Sequence, residues 1–242
     1  MKLVITLITF NRLEYTKRTL RTLWATVQVP YYLIVVDNNS TDGTKEYLAN
    51  LVDRNRANQV IFNDENYYPG KACNMGWAEG IEEYPQATHL MRLDNDMHFE
   101  KGWDLKAEEY FTNIDRLGQL GLDFDGGENK VPQYYNGMGL VEWPGCVGGP
   151  CIVRREIFDS GVRYDESRWE NSNSKVQEDS RLSSEIKRDG WLVGHMDERL
   201  SWTFANKDNW SDYPDYYIKT MADRDYPENV KYLKGLKNEN NN

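Results

Sequence analysis

Two carboxylates stand one residue apart in Leu93-Asp94-Asn95-Asp96-Met97, at the end of the apolar run 88–93. Hard oxygen ligands in that spacing suit Mg²⁺ or Mn²⁺, which take one or two carboxylates and fill the rest of their shell with water and substrate phosphate. A plain Asp/Asn turn gives the same pattern. Arg92, just before, is placed to meet phosphate or to pair with a neighbouring acid. Asp37 also ends an apolar run, residues 32–36, and opens Asp37-Asn38-Asn39-Ser40-Thr41-Asp42-Gly43. Its carboxylate suits a base N–H or ribose hydroxyls, or an Asx turn. Further on, Glu178-Asp179 precedes Leu182 and Ile186, which are four apart and mark the buried face of a helix. A carboxylate there gains from the positive helix end, and a plain N-terminal helix carboxylate gives the same pattern. Cation ligands and a nucleotide-facing acid at strand ends suit a phosphate-bearing ligand.

Such residues need a frame. Residues 2–8, 32–36, 59–62 and 88–93 are short apolar runs suited to buried parallel strands. Helical spacing separates them: Leu13, Thr16, Leu20, Leu23 and Val27; then 44–52; then a helix through about Glu83. Asn11 with Glu14 has the form of a capping pair for the first helix. Alternating strand and helix predicts a parallel α/β sheet with right-handed crossovers, whose ligands gather at the carboxyl ends of the strands. Thr9, Asp37 and Asp94 should therefore converge on one cleft. The second half carries frequent Gly and Pro between Gly118 and Gly149, a strand at 151–154, a helix from about Arg155, another at 177–189 ended by Gly190, and a strand at 191–194. The reading is one domain over 1–235, with a nucleotide-binding half (1–97) and an acceptor half (98–235), followed by a frayed polar tail at 236–242.

Composition narrows the partners. The chain has 242 residues and a formal net charge of −10, which argues against general nucleic-acid binding. Three cysteines, Cys73, Cys146 and Cys151, make no disulfide framework and no zinc spacing. No run approaches the roughly 20 apolar residues of a membrane span, and the opening ten residues lack a signal-peptide pattern, so the expectation is a cytoplasmic protein. Eight Trp and sixteen Tyr give candidates for stacking on sugar rings: Tyr67, Tyr68, Trp143, Trp169, Trp202 and Trp210, with Trp143 favoured because it borders Gly145–Gly149.

In order and spacing the sequence resembles the inverting glycosyltransferases of family 2, with the GT-A fold. The matching runs are Thr9-Phe10-Asn11-Arg12, Val35-Val36-Asp37 through Thr44, Asn66 with Ala72, Asn74 and Gly76, then Leu93-Asp94-Asn95-Asp96, Gly148-Gly149-Pro150, Arg154-Arg155 and Glu178-Asp179-x-x-Leu182. They cover about residues 3–203. The resemblance implies a Rossmann-like, mostly parallel sheet flanked by helices, an acceptor-side C-terminal half, and Mn²⁺ or Mg²⁺ as cofactor. It implies a nucleotide-sugar donor, UDP-sugar favoured, bound by Thr9, Asn11, Arg12, Asp37, Asn66, Lys71, Arg92, Asp94 and Asn95. Asp94 and Asp96 resemble the metal-binding signature. Asp179 resembles the general base, with Glu178 as the alternative, and Trp143, Gly148 and Gly149 fall on the acceptor side. Two departures stand out: Trp202 occupies the place where many relatives carry a metal-binding His, leaving His195 as candidate third ligand, and Tyr68 replaces a small residue. The acceptor stays open among glycan, polymer, protein, lipid-linked sugar and modified nucleic acid. Two other functions compete. A nucleotidyltransferase would want a glycine-rich loop after the first strand, where Thr9-Phe10-Asn11-Arg12 stands. An inactive nucleotide-sugar-binding module would not need Asp94, Asp96 and Asp179 together.

Overall fold

The structure is a computed structural model that describes residues 1–122, 131–142, 147–166, 178–223 and 226–239. Strands β1 (Leu3–Thr9), β2 (Tyr31–Asp37), β3 (Gln59–Phe62) and β4 (His89–Asp94) alternate with helices α1 (Leu13–Thr26), α2 (Thr44–Asp53) and α3 (Tyr68–Glu83). Every residue of β1 is buried, as a strand covered on both faces requires. Leu3, Ile5 and Leu7 pack with α1, α2 and α4 (Trp103–Asn113) through Leu20, Leu23, Leu48 and Trp103. Val4 and Ile8 point the other way, to Ala72, Cys73 and Trp77 of α3. Gly76 brings α3 down onto β1: a Cβ there would drive into the side chain of Thr6.

The second half enlarges this sheet. It contributes β5 (Met97–Phe99), β6 (Leu117–Gly121), β7 (Gln133–Tyr135), β8 (Met138–Glu142), β9 (Cys151–Arg154), β10 (Leu192–Met196) and β11 (Ser201–Thr203). The nine-stranded order is β3-β2-β1-β4-β9-β6-β10-β8-β7, and β5 with β11 forms a separate two-stranded ribbon. β1 pairs in parallel with β2 and with β4, whereas β9 lies antiparallel between β4 and β6. Helices α5 (Arg155–Asp159) and α6 (Glu178–Arg188) join α3 on one face through Ile157, Phe158, Leu182 and Ile186.

The expected strands and helices of the first half form within a residue or two of their predicted bounds, except that α3 begins at Tyr68, inside the loop expected to run from Asn63 to Lys71. After a 3₁₀ turn (Lys207–Asp212), α7 (Pro214–Asp223) and α8 (Pro227–Glu239) form a helical pair, so residues 236–239 of the expected frayed tail are helical instead, and residues 240–242 lie outside the described residues. Leu233 is fully buried and seats α8, so a polar composition here accompanies an ordered amphipathic helix. No helix among the described residues is long and apolar enough to cross a membrane.

Candidate active site

The parallel strands end at one edge, and their last residues build the site. Thr9 lies opposite Asp37 in the register, with Ile8 opposite Asp94. Asp37 is fully buried. It accepts hydrogen bonds from Thr9 Oγ1 (2.9 Å), the Ser40 backbone N–H (2.9 Å) and Ser40 Oγ (2.5 Å). Asn11 ties the β1 end to the same loop: its N–H donates to Ser40 Oγ (2.7 Å) and its Oδ1 accepts from Thr41 N–H (2.8 Å). Asn11 therefore does not cap α1. Asp42 Oδ2 takes that role from the neighbouring loop, accepting the Leu13 N–H at 2.9 Å.

Asn11 and Arg12 both adopt left-handed backbone, φ 54° and 61°. Two such residues in succession are unusual for non-glycine side chains. Here they turn Arg12 inward, where its guanidinium donates to Asp96 Oδ2 (2.8 Å), Asn95 Oδ1 (2.5 Å) and Tyr217 Oη (3.2 Å). It also lies 4.3 Å from the ring centre of Tyr216. Asn95 Nδ2 donates to Asn11 O and Thr16 Oγ1, both at 3.0 Å. Burial opposes the charge on Arg12, but Tyr216, Asp96 and Tyr217 outweigh it and raise its proton affinity. Burial pushes the Asp96 carboxyl upward, with Arg12 working against it.

Asp94 has a different arginine. Arg92 is 3% exposed, and its Nε donates to Asp94 Oδ1 at 3.0 Å, with an outer nitrogen 3.5 Å from Oδ2. Its other outer nitrogen lies 3.5 Å from Glu178 Oε1 at the start of α6. Gly149 closes over this pair: a Cβ there would stand 2.5 Å from Asp94 Oδ2 and 2.6 Å from the Arg92 guanidinium. Gly148 has open space at the same point. Asp179, next to Glu178, accepts the Ser180 N–H at 2.7 Å. Burial raises its pKa, Arg92 lowers it and Glu178 raises it further.

At the mouth of α3, Asn66 Oδ1 accepts the Tyr68 N–H (2.9 Å), which helps set Tyr68 in left-handed backbone (φ 62°). Lys71 Nζ lies 3.8 Å from the centre of the Tyr67 ring. Trp143 and Trp169 lie outside the described residues. Trp202 pairs with His98 across β5 and β11, its ring stacked on the imidazole at 4.4 Å.

The structure thus gathers Thr9, Asn11, Arg12, Asp37, Arg92, Asp94, Asn95, Asp96, Glu178 and Asp179. It does not bring His195 to them. The register runs Arg92, Cys151, Gly121, His195 across β4, β9, β6 and β10, so His195 stands three strands from Arg92, about 14 Å at ordinary strand spacing. Among the described residues no group of three or more His, Cys, Asp or Glu is placed to hold a metal ion. Asp94 and Asp96 supply two carboxylates on one turn, which fits the mode in which Mg²⁺ or Mn²⁺ takes its remaining ligands from substrate phosphate and water. Tyr216 and Tyr217 are the site neighbours that sequence reasoning missed. The pattern of four Tyr in 213–226 was the available signal, but nothing local tied it to Arg12.

Known proteins bear on this arrangement. The TarS 1–349 fragment of S. aureus superposes with a TM-score of 0.61 at 17% identity, over 92% of this chain and 65% of that one. Its complex with UDP-GlcNAc gives 0.63 at 17%, over 92% and 66%. The mannosyltransferase PcManGT from Pyrobaculum calidifontis, in complex with GDP-Man and Mn²⁺, gives 0.67 at 13%, over 92% and 62%. The chain therefore spans a little under two thirds of these neighbours' length, and at such identities the likeness establishes the GT-A fold. No curated protein matches the sequence. The pattern described as "Glycosyl transferase family 2" matches residues 4–161, about two thirds of the sequence, and so takes in the β1–β4 frame from Val4 onward with Asp37, Asp94 and Asp96. The chain belongs to glycosyl transferase family 2.

Proposed function

We propose that this glycosyltransferase moves a sugar, with inversion, from a nucleotide-diphosphate sugar to an acceptor hydroxyl, with Asp179 as general base. The observation that carries the reading is Asp179 itself. It sits in the first turn of α6, is half-buried, and shares the charge field of Arg92 with Glu178 and Asp94. A carboxylate whose pKa is raised by burial is a better proton acceptor than an ordinary one near neutral pH.

In this mechanism the acceptor oxygen attacks the anomeric carbon as Asp179 takes its proton. The bond from that carbon to the diphosphate oxygen breaks, and the diphosphate leaves with the electron pair. The Thr9–Asp37–Ser40 network holds the β1 and β2 ends rigid, which keeps the pocket for base and ribose in shape. Asn66 and Lys71 stand at the mouth of α3, where a donor would pass. A bound Mn²⁺ or Mg²⁺, held by Asp94 and Asp96, would stabilise negative charge on the departing diphosphate. UDP is favoured as the nucleotide, and the test panel includes GDP because the neighbours were seen with UDP-GlcNAc and with GDP-Man. Gly148 and Gly149 border the acceptor side. The absence of glycine in Thr9-Phe10-Asn11-Arg12 favours this reading over nucleotidyl transfer.

The test is release of nucleotide diphosphate from a panel of UDP- and GDP-sugars, with and without Mn²⁺, for the wild type and for Asp179→Asn. The variant should lose about 10²–10⁴-fold in turnover while calorimetry finds donor binding unchanged. Loss of donor binding in Asp179→Asn would remove Asp179 from the role of base. A product that keeps the donor's anomeric configuration would remove inversion.

A further inference from the structure

We propose that Arg92 is a positioning residue that ties the donor-side Asp94 to the first turn of α6, and that Glu178 is its anchor on that helix rather than the proton acceptor. The inference rests on the reading of Asp179 as base and deepens it.

Side chains on β4 alternate between the two faces of the sheet. Leu90 packs on the face covered by α3, α5 and α6, and Arg92 and Asp94 follow it at every second position, so all three point into that layer. An arginine on a central strand, 3% exposed, carries a desolvation cost that only paired charges offset. Its guanidinium meets that demand in two directions: two nitrogens face the two oxygens of Asp94, at 3.0 and 3.5 Å, and the third lies 3.5 Å from Glu178 Oε1. The Tyr164 ring, 5.1 Å from the guanidinium carbon, packs beside it. A lysine has one point charge and cannot address both acids with a fixed fork.

Asp94 and Glu178 are 84 residues apart in sequence and belong to different halves of the fold. The guanidinium is therefore a physical link between the carboxylate that faces the donor and the helix that carries the base. Asp179 is the next residue after the anchor, so its placement depends on where Arg92 holds Glu178. Gly149 packs against the Arg92–Asp94 pair, where any Cβ would collide with both side chains.

The experiment compares wild type, Glu178→Gln, Arg92→Lys and the double variant by nucleotide release with saturating donor and Mn²⁺, donor KM, donor affinity by calorimetry and thermal unfolding. Glu178→Gln alters a side chain that is 26% exposed, so it carries the test if the buried Arg92→Lys folds poorly. Misplacement of the base by about an ångström predicts a fall of about 10–100-fold in kcat for Glu178→Gln, with donor KM within about twofold. The double variant should lose no more than the worse single one, because both break one link. Three results overturn the assignment: losses that multiply in the double variant; a rise in donor KM with kcat unchanged in Arg92→Lys, which would make Arg92 a donor-binding group; or a loss in Glu178→Gln as deep as in Asp179→Asn, which would make Glu178 a proton acceptor. A wild type that releases nucleotide from no donor overturns the parent reading instead, and is distinguished by failing before any variant is compared.

Discussion

The two aspartates of Asp94-Asn95-Asp96 each face an arginine, and the two pairs are built to opposite ends. Arg12 and Asp96 form a closed knot, with side-chain exposures of 8% and 14%. Asn95, Tyr216 and Tyr217 surround the guanidinium, so the knot binds the β1 turn, the β4 end and α7 into one piece. Arg92 is as deeply buried, but its partners Asp94 and Glu178 are 29% and 26% exposed. The first pair turns its charges inward on protein. The second anchors a buried cation beneath two acids that still look onto the cleft. Two carboxylates of one motif thus differ in how far the protein itself already occupies them, which spacing in sequence cannot report.

Aspartate-to-alanine changes at the two positions test this division most severely. Asp96→Ala leaves the Arg12 charge buried without its carboxylate, and should cost about 3–5 kcal/mol in denaturant unfolding. Asp94→Ala leaves Arg92 with Glu178 as a remaining counter-charge, so its stability loss should be smaller, about 1–3 kcal/mol. Its main effect should be on Mn²⁺-dependent donor affinity by calorimetry. Equal stability losses at both positions would erase the contrast drawn here.

A milder probe is Tyr217→Phe, which removes one hydroxyl from the knot and keeps the ring. About 0.5–1.5 kcal/mol should be lost, with donor affinity unchanged. If donor affinity falls and stability holds, α7 belongs to the binding surface instead of to the frame.

The smallest effect lies in pH. Burial raises the Asp179 pKa, so as pH falls this carboxylate takes up its proton earlier than an ordinary aspartate would. The acid limb of turnover should therefore sit above the usual aspartate range and disappear in Asp179→Asn. The same shift means the folded state holds that proton more tightly than the unfolded chain. Its contribution to stability is present at low pH and is lost as pH rises from the unfolded value through the raised one. A limb at the ordinary aspartate position would place the base elsewhere.

The frame was readable because its cause is local. Four apolar runs, each closed by a polar turn, carry their own strand signal, and Asp37 and Asp94 inherit their places from the ends of β2 and β4. What could not be read depends on partners remote in sequence. Arg12 meets Tyr217 across 205 residues, and Arg92 meets Glu178 across 86. Asp42, not Asn11, accepts a first-turn N–H of α1, because the cap comes from the next loop. Residues 151–154 form the expected strand, but no pattern in so short a run tells its direction, which is antiparallel to β4. His195 lies near Trp202 in sequence, yet β10 is set three strands from β4, so proximity along the chain misled. The polar stretch after Lys234 suggested fraying because a single buried Leu233 gives little periodic signal.

The placement of β9 has a consequence for cutting the chain. β4 pairs on one side with β1 and on the other only with residues 151–154, which are translated more than fifty residues later. A fragment ending at residue 97 would expose the whole outer edge of β4, with Leu90, Met91, Arg92 and Leu93 all buried in the intact protein. Bare apolar strand edges recruit other strands. The half that holds the nucleotide-facing loops should therefore self-associate when expressed alone, and sedimentation of such a fragment beside the full chain would reveal it.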